Sequence, residues 1–250
     1  MTGRVSGYTY PFPMTSVATD IAVFHVVEKG GLQIALVRRR EDSEAYPGAW
    51  ALPGGFFKPD DDEDITACVL RELSEEAGLI LPVCVSGQPH VELVGVYSAK
   101  GRDPRPERVI SIAHIAVLTG DQIVLAPVPD TDVSEARWFP FEALAELDLA
   151  FDHGEIIRDA RKQLADRIAF ARKDEDSPDL LFAFLPDKFT LTQAQGVMQA
   201  LKGEAVDASN FRKYIEKFVV ATGETRPMRT RPAAVYRRRS PDPAEDERLL

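Results

Sequence analysis

Apolar and β-branched residues dominate from Val17 to Val27 and again from Leu32 to Arg38, with a Glu28-Lys29-Gly30-Gly31 turn between them, which predicts a β-hairpin. Val91–Ser98 and Val109–Thr119 read as further strands, separated by the Arg/Pro-rich loop Gly101–Arg108. Ile65–Ala77 instead spaces its apolar positions three and four apart, the mark of a helix. Gly78 then suits a left-handed C-cap and Leu79 the contact that follows it. Pro140 suits the first position of a short helix over Phe141–Leu147. Strands mixed with two helices up to about residue 148 predict an α+β domain over 17–148. Residues 1–16, with Tyr8, Tyr10, Pro11, Phe12 and Pro13 at no fixed period, read as an N-terminal arm.

Beyond Asp148 the pattern turns helical. Ile156, Ile157, Ala160, Leu164, Ile168 and Ala171 recur near helical spacing over 153–172, and the charged Lys173–Asp179 stretch ends that helix. Thr190 predicts the N-cap of a helix to about Leu201 that Gly203 closes, and a second helix follows over Asp207–Phe218. Val219–Ala221, a Gly/Arg/Pro segment from Thr222 to Pro232 and an apolar strand Ala233–Tyr236 come next. Helix, short turn, helix and basic-tipped hairpin make the layout of a winged helix-turn-helix, here over 149–239. The tail 240–250 is charged and contains proline, the composition of a disordered end.

Charge sharpens that division. The net charge of −10 argues against a nucleic-acid partner, but residues 1–150 hold 12 Lys and Arg against 23 Asp and Glu, whereas residues 207–239 hold 9 against 3. One basic segment on an acidic chain is what a single polyanion-binding surface requires. The two cysteines, Cys68 and Cys84, are too few for a disulfide framework and read as reduced core residues. No basic region precedes an apolar run at the N-terminus, and no stretch approaches the ~18 apolar residues of a membrane span. A cytoplasmic protein without a membrane partner is expected.

The candidate chemistry lies in Gly54-Gly55-Phe56-Phe57, then Glu63, then Arg71-Glu72-Leu73-Ser74-Glu75-Glu76. On a helix Glu72, Glu75 and Glu76 stand at i, i+3 and i+4, so three mutually repelling carboxylates share a face. A hard divalent cation, Mg²⁺ or Mn²⁺, relieves that repulsion and would bridge phosphate oxygens and polarise an attacking water. Arg71 is placed to orient a carboxylate through a bidentate pair. The Asp60-Asp61-Asp62 run is read as favouring the positive end of the helix dipole. Asp152 is read as the N-cap of the long helix, with His153 structural beside it. His25 and His114 fall in strands and are assigned no chemistry.

These residues resemble the Nudix box, and Gly48-Ala49-Trp50-Ala51-Leu52-Pro53 resembles its usual lead-in. Arg102-Asp103-Pro104-Arg105 is similar to a loop frequent in ADP-ribose-type Nudix domains. One departure stands out: seven residues separate Gly55 from Glu63, where the usual box has five. Further along, Leu149-Ala150-Phe151-Asp152-His153, Leu185-Pro186-Asp187-Lys188-Phe189-Thr190-Leu191, Asn210-Phe211-Arg212-Lys213 and Arg231-Pro232-Ala233-Ala234-Val235-Tyr236 appear in order. With the Nudix box, this set resembles the NrtR family, Nudix-related transcriptional regulators of NAD metabolism.

The resemblance implies a mixed-sheet α/β/α Nudix sandwich followed by a winged helix, in a homodimeric repressor. It would bind palindromic double-stranded operator DNA and respond to ADP-ribose or a related NAD metabolite. Arg71, Glu72, Glu75 and Glu76 would be catalytic if the site is active, and the three glutamates would hold the metal. Gly54, Gly55, Phe56, Arg102 and Arg105 would bind the ligand. Asn210, Arg212 and Lys213 on the second helix would read DNA, with Arg226, Arg229 and Arg231 on the wing. Phe211 and Tyr214 read as core, and Arg237–Arg239 as either a phosphate clamp or a solvated tail. A rival function from another class, an active pyrophosphohydrolase on ADP-ribose or a related nucleoside diphosphate derivative, is favoured by the intact glutamates. The enlarged Gly55–Glu63 loop and the basic wing favour the regulator.

Overall fold

Strand β1 (Thr15–Val26) alternates between two cores, with Ile21 and Val23 in one and Ala22 and Phe24 in the other. Strand β2 (Leu32–Arg39) does the same with Ala35 and Val37 against Ile34 and Leu36. Burial on both faces explains why these strands read as nearly continuous apolar runs. The computed structural model describes residues 14–26, 31–81, 91–118, 123–128, 131–170, 181–182, 184–227 and 232–240.

Around β1 the sheet runs β3 (Trp50–Ala51), β2, β1, β6 (Arg108–Leu118) and β5 (Glu92–Tyr97), with β4 (Gly54–Phe56) on β1 and β7 (Val133–Pro140) on β2. The β1–β6 pairing is parallel and runs from Thr15↔Arg108 to His25↔Leu118; the other pairings are antiparallel. Helix α1 (Ile65–Ala77) lays Val69, Leu73 and Ala77 on one face. Helix α2 (His153–Phe170) lays Ile156, Ile157, Ala160 and Leu164 on the other. The result is the expected α/β/α sandwich.

Next come α3 (Leu191–Lys202), α4 (Ala208–Ile215) and a sheet in the order β8 (Phe189–Thr190), β10 (Ala233–Arg238), β9 (Val219–Arg226), which together form the winged helix. Thr190 and Gln193 close a capping box at the start of α3, and Gly203 caps its end with φ of 70°. Leu201, Phe211, Ile215, Val219, Phe182 and Phe189 share one core with the inner side of α2. Helix α2 therefore belongs to the packing of both halves.

Several expectations need correction. The short helix after Pro140 is a 3₁₀ helix over Phe141–Glu146, and Pro140 both ends β7 and takes that helix's N-cap position. The second helix of the winged helix runs Ala208–Ile215, because the Phe218 N–H turns back to the Ile215 carbonyl and β9 begins at Val219. The Asp60–Asp62 run leaves the first turn of α1 without an acid; Asp64 caps it, accepting from the Ala67 N–H at 2.7 Å. Strands β3, β4, β7 and β8 were not foreseen.

Cys68 is buried on α1, where burial pushes its thiol up to about 12. The expectations for residues 1–13, 28–30, 173–179 and 241–250, and for Cys84, Arg229 and Arg231, lie outside the described residues. Among the described residues, no helix is long and apolar enough to cross a membrane.

Candidate ligand pocket and DNA-facing helix

Strands β1, β2 and β4, helix α1, the loop after β5 and the turn into α2 surround a cavity of about 350 Å³. Gly54 is needed where the backbone enters it, and Gly55 leaves room beside it for the Glu72 carboxylate. A Cβ on Gly54 would stand 2.2 Å from the Thr19 carbonyl oxygen, and one on Gly55 would stand 2.5 Å from Glu72 Oε1. The Gly54 N–H donates to Glu76 Oε2 at 2.9 Å. Burial pushes the Glu76 carboxyl up to about 8 despite that bond, and burial also raises Glu72.

Glu72, Glu75 and Glu76 all line the cavity, but they are not equivalent. Glu72 and Glu76 are buried, whereas Glu75 is 42 % exposed and drawn to Arg71 at 3.3 Å. Among the described residues, no three His, Cys, Asp or Glu side chains stand close enough to hold an ion together. Even so, two buried carboxylates with raised pKa make a donor set that suits a hard divalent cation.

Arg71 does orient a carboxylate, but mainly one that the sequence reading assigned elsewhere. Its Nε and one terminal nitrogen grip Asp62 at 2.7 and 2.9 Å, while the other terminal nitrogen reaches Glu72 at 2.6 Å. Asp62 also accepts from the Lys58 N–H at 2.8 Å, and Arg71 holds its carboxyl well below the usual range. The enlarged loop thus folds around Asp62, whereas Glu63 is exposed.

The far wall was largely missed. Leu52 N–H donates to His153 Nδ1 at 2.8 Å, so the ring proton sits on Nε2, 3.3 Å from Asp20 Oδ1. Ser111 donates to Asp20 Oδ2, with Arg102 at 3.6 Å. Burial alone would raise Asp20, but His153, Ser111 and Arg102 together hold it below its ordinary value. Arg102 grips Asp152 with two nitrogens at 2.9 and 2.7 Å. Asp152 sits at the expected N-cap position, where its carbonyl accepts the Ile156 N–H, but its carboxylate turns to Arg102.

Arg105 is held twofold by Asp103 and lies over the Phe56 ring at 4.7 Å, so two proposed ligand residues meet. Phe151, at φ 54°, packs beside Tyr46 and His153 with Arg39 over its ring at 5.3 Å. Arg39, Phe151, Asp132 and His153 all line the cavity. Arg39, Asp132 and the Phe151–His153 turn come from separate parts of the chain, so only the fold could have grouped them. His114 is a satisfied core residue beside Thr19, and burial lowers its pKa.

On the other half, α4 buries Phe211 and Ile215 and exposes Asn210, Arg212 and Lys213. Arg212 pairs with Glu216 at 2.7 Å. Tyr214 packs on Phe218. Arg226 bonds Gln193 Oε1 and the Lys188 carbonyl, which fixes it at the base of the wing against the α3 cap. Arg237 and Arg238 belong to β10, and Arg239 donates to the Lys217 and Val219 carbonyls, so this trio is no solvated tail.

A family model of the NUDIX domain matches residues 18–160, and one of the NrtR DNA-binding winged helix domain matches residues 181–238. The ADPR responsive transcriptional repressor NtrR of Acinetobacter baylyi is 31% identical over 232 residues, which are 91% of this chain and 83% of that protein. The chain belongs to the NrtR family. The structure of Shewanella oneidensis NrtR complexed with a 27mer DNA is similar at a TM-score of 0.68 and 26% identity, covering 89% of this chain and 93% of that one. The ADP-ribose pyrophosphatase of Methanocaldococcus jannaschii is 38% identical over 140 residues, 56% of this chain and 71% of that enzyme. NrtR similarity thus spans both halves, whereas the enzyme's similarity covers little more than half of the chain.

Proposed function

We propose that this NrtR-family chain is an ADP-ribose-responsive transcriptional repressor of NAD biosynthesis or salvage genes, acting in the cytoplasm as a homodimer on a palindromic operator. Residues 17–148 form the ligand-binding unit in this reading and residues 149–239 the DNA-binding unit. One observation carries it: α2 starts in the wall of the Nudix pocket at His153 and shares its core with the winged helix. A pocket and a DNA-binding module joined by one rigid element form a sensor. Asn210, Arg212 and Lys213 would meet the major groove, with Arg226, Arg229 and Arg231 supporting the wing on phosphates.

Gly54, Gly55 and Phe56 would line the diphosphate path, and Arg102 and Arg105 would face its charge. Glu72 and Glu76 would hold Mg²⁺ or Mn²⁺, with Glu75 joining them on leaving Arg71, and the ion would neutralise the diphosphate and lower the pKa of a bound water. The buried pair Glu72 and Glu76 also favours a second reading, hydrolysis of ADP-ribose, with Arg71 orienting the glutamate face.

The deciding experiment is a mobility shift of DNA from the chain's own upstream region, with and without ADP-ribose. The expected result is specific binding that saturating ADP-ribose weakens by roughly 5- to 150-fold. Equal affinity for random DNA would sink the regulator. Rapid AMP formation with Mg²⁺, combined with DNA affinity indifferent to ADP-ribose, would establish the enzyme in its place.

A further inference from the structure

Asp152 is the residue immediately before α2, and its carbonyl accepts the Glu155 and Ile156 N–H groups that begin the helix. Its carboxylate is held by Arg102, whose side chain is only 4 % exposed and lines the pocket. Next to it, Phe151 holds a left-handed backbone that a residue with a side chain adopts at a cost, kept in place by Tyr46, Arg39, Arg102 and His153. Farther along α2, Arg161 lies over Phe141 at 4.1 Å and reaches the Ala200 carbonyl at 3.5 Å, near the end of α3. The start of α2 is thus fastened to the pocket by the Arg102–Asp152 pair and by His153, which accepts from the Leu52 N–H and faces Asp20, and its middle is fastened to the winged helix.

Arg39, Arg102 and Arg105 line the cavity, and each faces a carboxylate or a carbonyl of the protein itself. A diphosphate entering there brings oxyanions that compete for the same donors. Asp152 occupies the Nε edge of Arg102 and shares its Nη2, so a diphosphate bound end-on across the two terminal nitrogens competes for Nη2.

We propose that the Arg102–Asp152 pair is a latch: closed, it seats α2 in the DNA-competent arrangement, and a diphosphate ligand opens it by drawing Arg102 away. Asp152 is then a positioning residue that carries occupancy of the pocket to the winged helix without touching ligand or DNA. The opened latch lets the strained Phe151 backbone relax and α2 re-seat, which gives the two arrangements different affinities for the ligand. This rests on the sensor reading above.

The test uses the full chain, operator DNA and ADP-ribose. DNA Kd is measured without and with saturating ADP-ribose, and ADP-ribose Kd by calorimetry, for wild type, Asp152→Asn and Arg102→Lys. Asp152→Asn should bind ADP-ribose at least about threefold more tightly than wild type, since the ligand no longer has to displace a carboxylate from Arg102. Its ligand-free DNA Kd should rise toward the liganded wild-type value, and the ligand-induced ratio should fall to a third or less. Arg102→Lys keeps the charge but loses the fork, so its ratio should fall as well; it decides the matter alone if Asp152→Asn does not fold. A purely structural Asp152 would weaken DNA binding equally with and without ligand, and an unchanged ratio in both variants overturns the latch. A wild type that binds ADP-ribose yet shows no ratio overturns the sensor reading itself.

Discussion

In and around the pocket, Arg71, Arg102 and Arg105 each grip a carboxylate with two nitrogens at 2.6–2.9 Å, and the partners Asp62, Asp152 and Asp103 are 2 %, 15 % and 3 % exposed. On α4, Arg212 meets Glu216 with both side chains about half exposed or more, and Asn210 and Lys213 face solvent. The difference is one of solvent. Buried forks act through a medium of low dielectric and keep their geometry before any ligand arrives. The α4 charges are screened by salt and free to re-pair, which suits a surface that must exchange its own contacts for phosphates. The two halves should therefore fail in different ways.

The largest expected effect is at the buried end of this comparison. Asp20→Ala removes the acceptor of Ser111 and His153 and should lower stability by on the order of 3 kcal/mol at neutral pH, read by denaturant unfolding. Asp20 is held below its ordinary pKa, so its charged form stabilises the fold above that ordinary value, and the stabilisation is lost as pH falls through the folded pKa. The gap between wild type and variant should accordingly shrink in acid; a gap that widens there would show that the carboxylate charge is not what stabilises the wall. Next, Arg212→Ala should weaken operator binding roughly ten- to a hundredfold with an unaltered melting temperature, and wild-type affinity should fall steeply with salt. Loss of folding instead of affinity would place Arg212 among the packing residues. The smallest change is Glu216→Gln, which releases Arg212 and should tighten DNA binding about two- to fivefold at low salt, an advantage that vanishes as salt rises.

Local signals in the sequence were legible where the cause is local. The α1 bounds follow from helical spacing between Asp64 and Gly78, and α3 from Thr190 and Gly203, since caps act within four residues. Strand β7 (Val133–Pro140) hid because its exposed positions recur every third residue instead of every second and its sequence includes Glu135 and Arg137, and β3 and β4 are too short to show a period. The glutamate face of the site was readable from spacing alone. Asp62 was not, because its partner Arg71 lies across the loop and nearly two helical turns. That Asp20, Arg39 and the Phe151–His153 turn share a wall was not either, because the sheet brings them together from distant points of the chain.

The parallel β1–β6 pairing sets the order in which this chain can acquire its shape. Thr15 must wait for Arg108, and His25 for Leu118, so one edge of β1 stays unpaired until nearly half of the chain has left the ribosome. At about 5–20 residues per second, that leaves an aggregation-exposed interval of several seconds. The winged helix closes its own sheet between residues 189 and 238, with far shorter loops. During synthesis, then, the slow half emerges first, and the fast half has only α2 to dock onto once the slow half is complete.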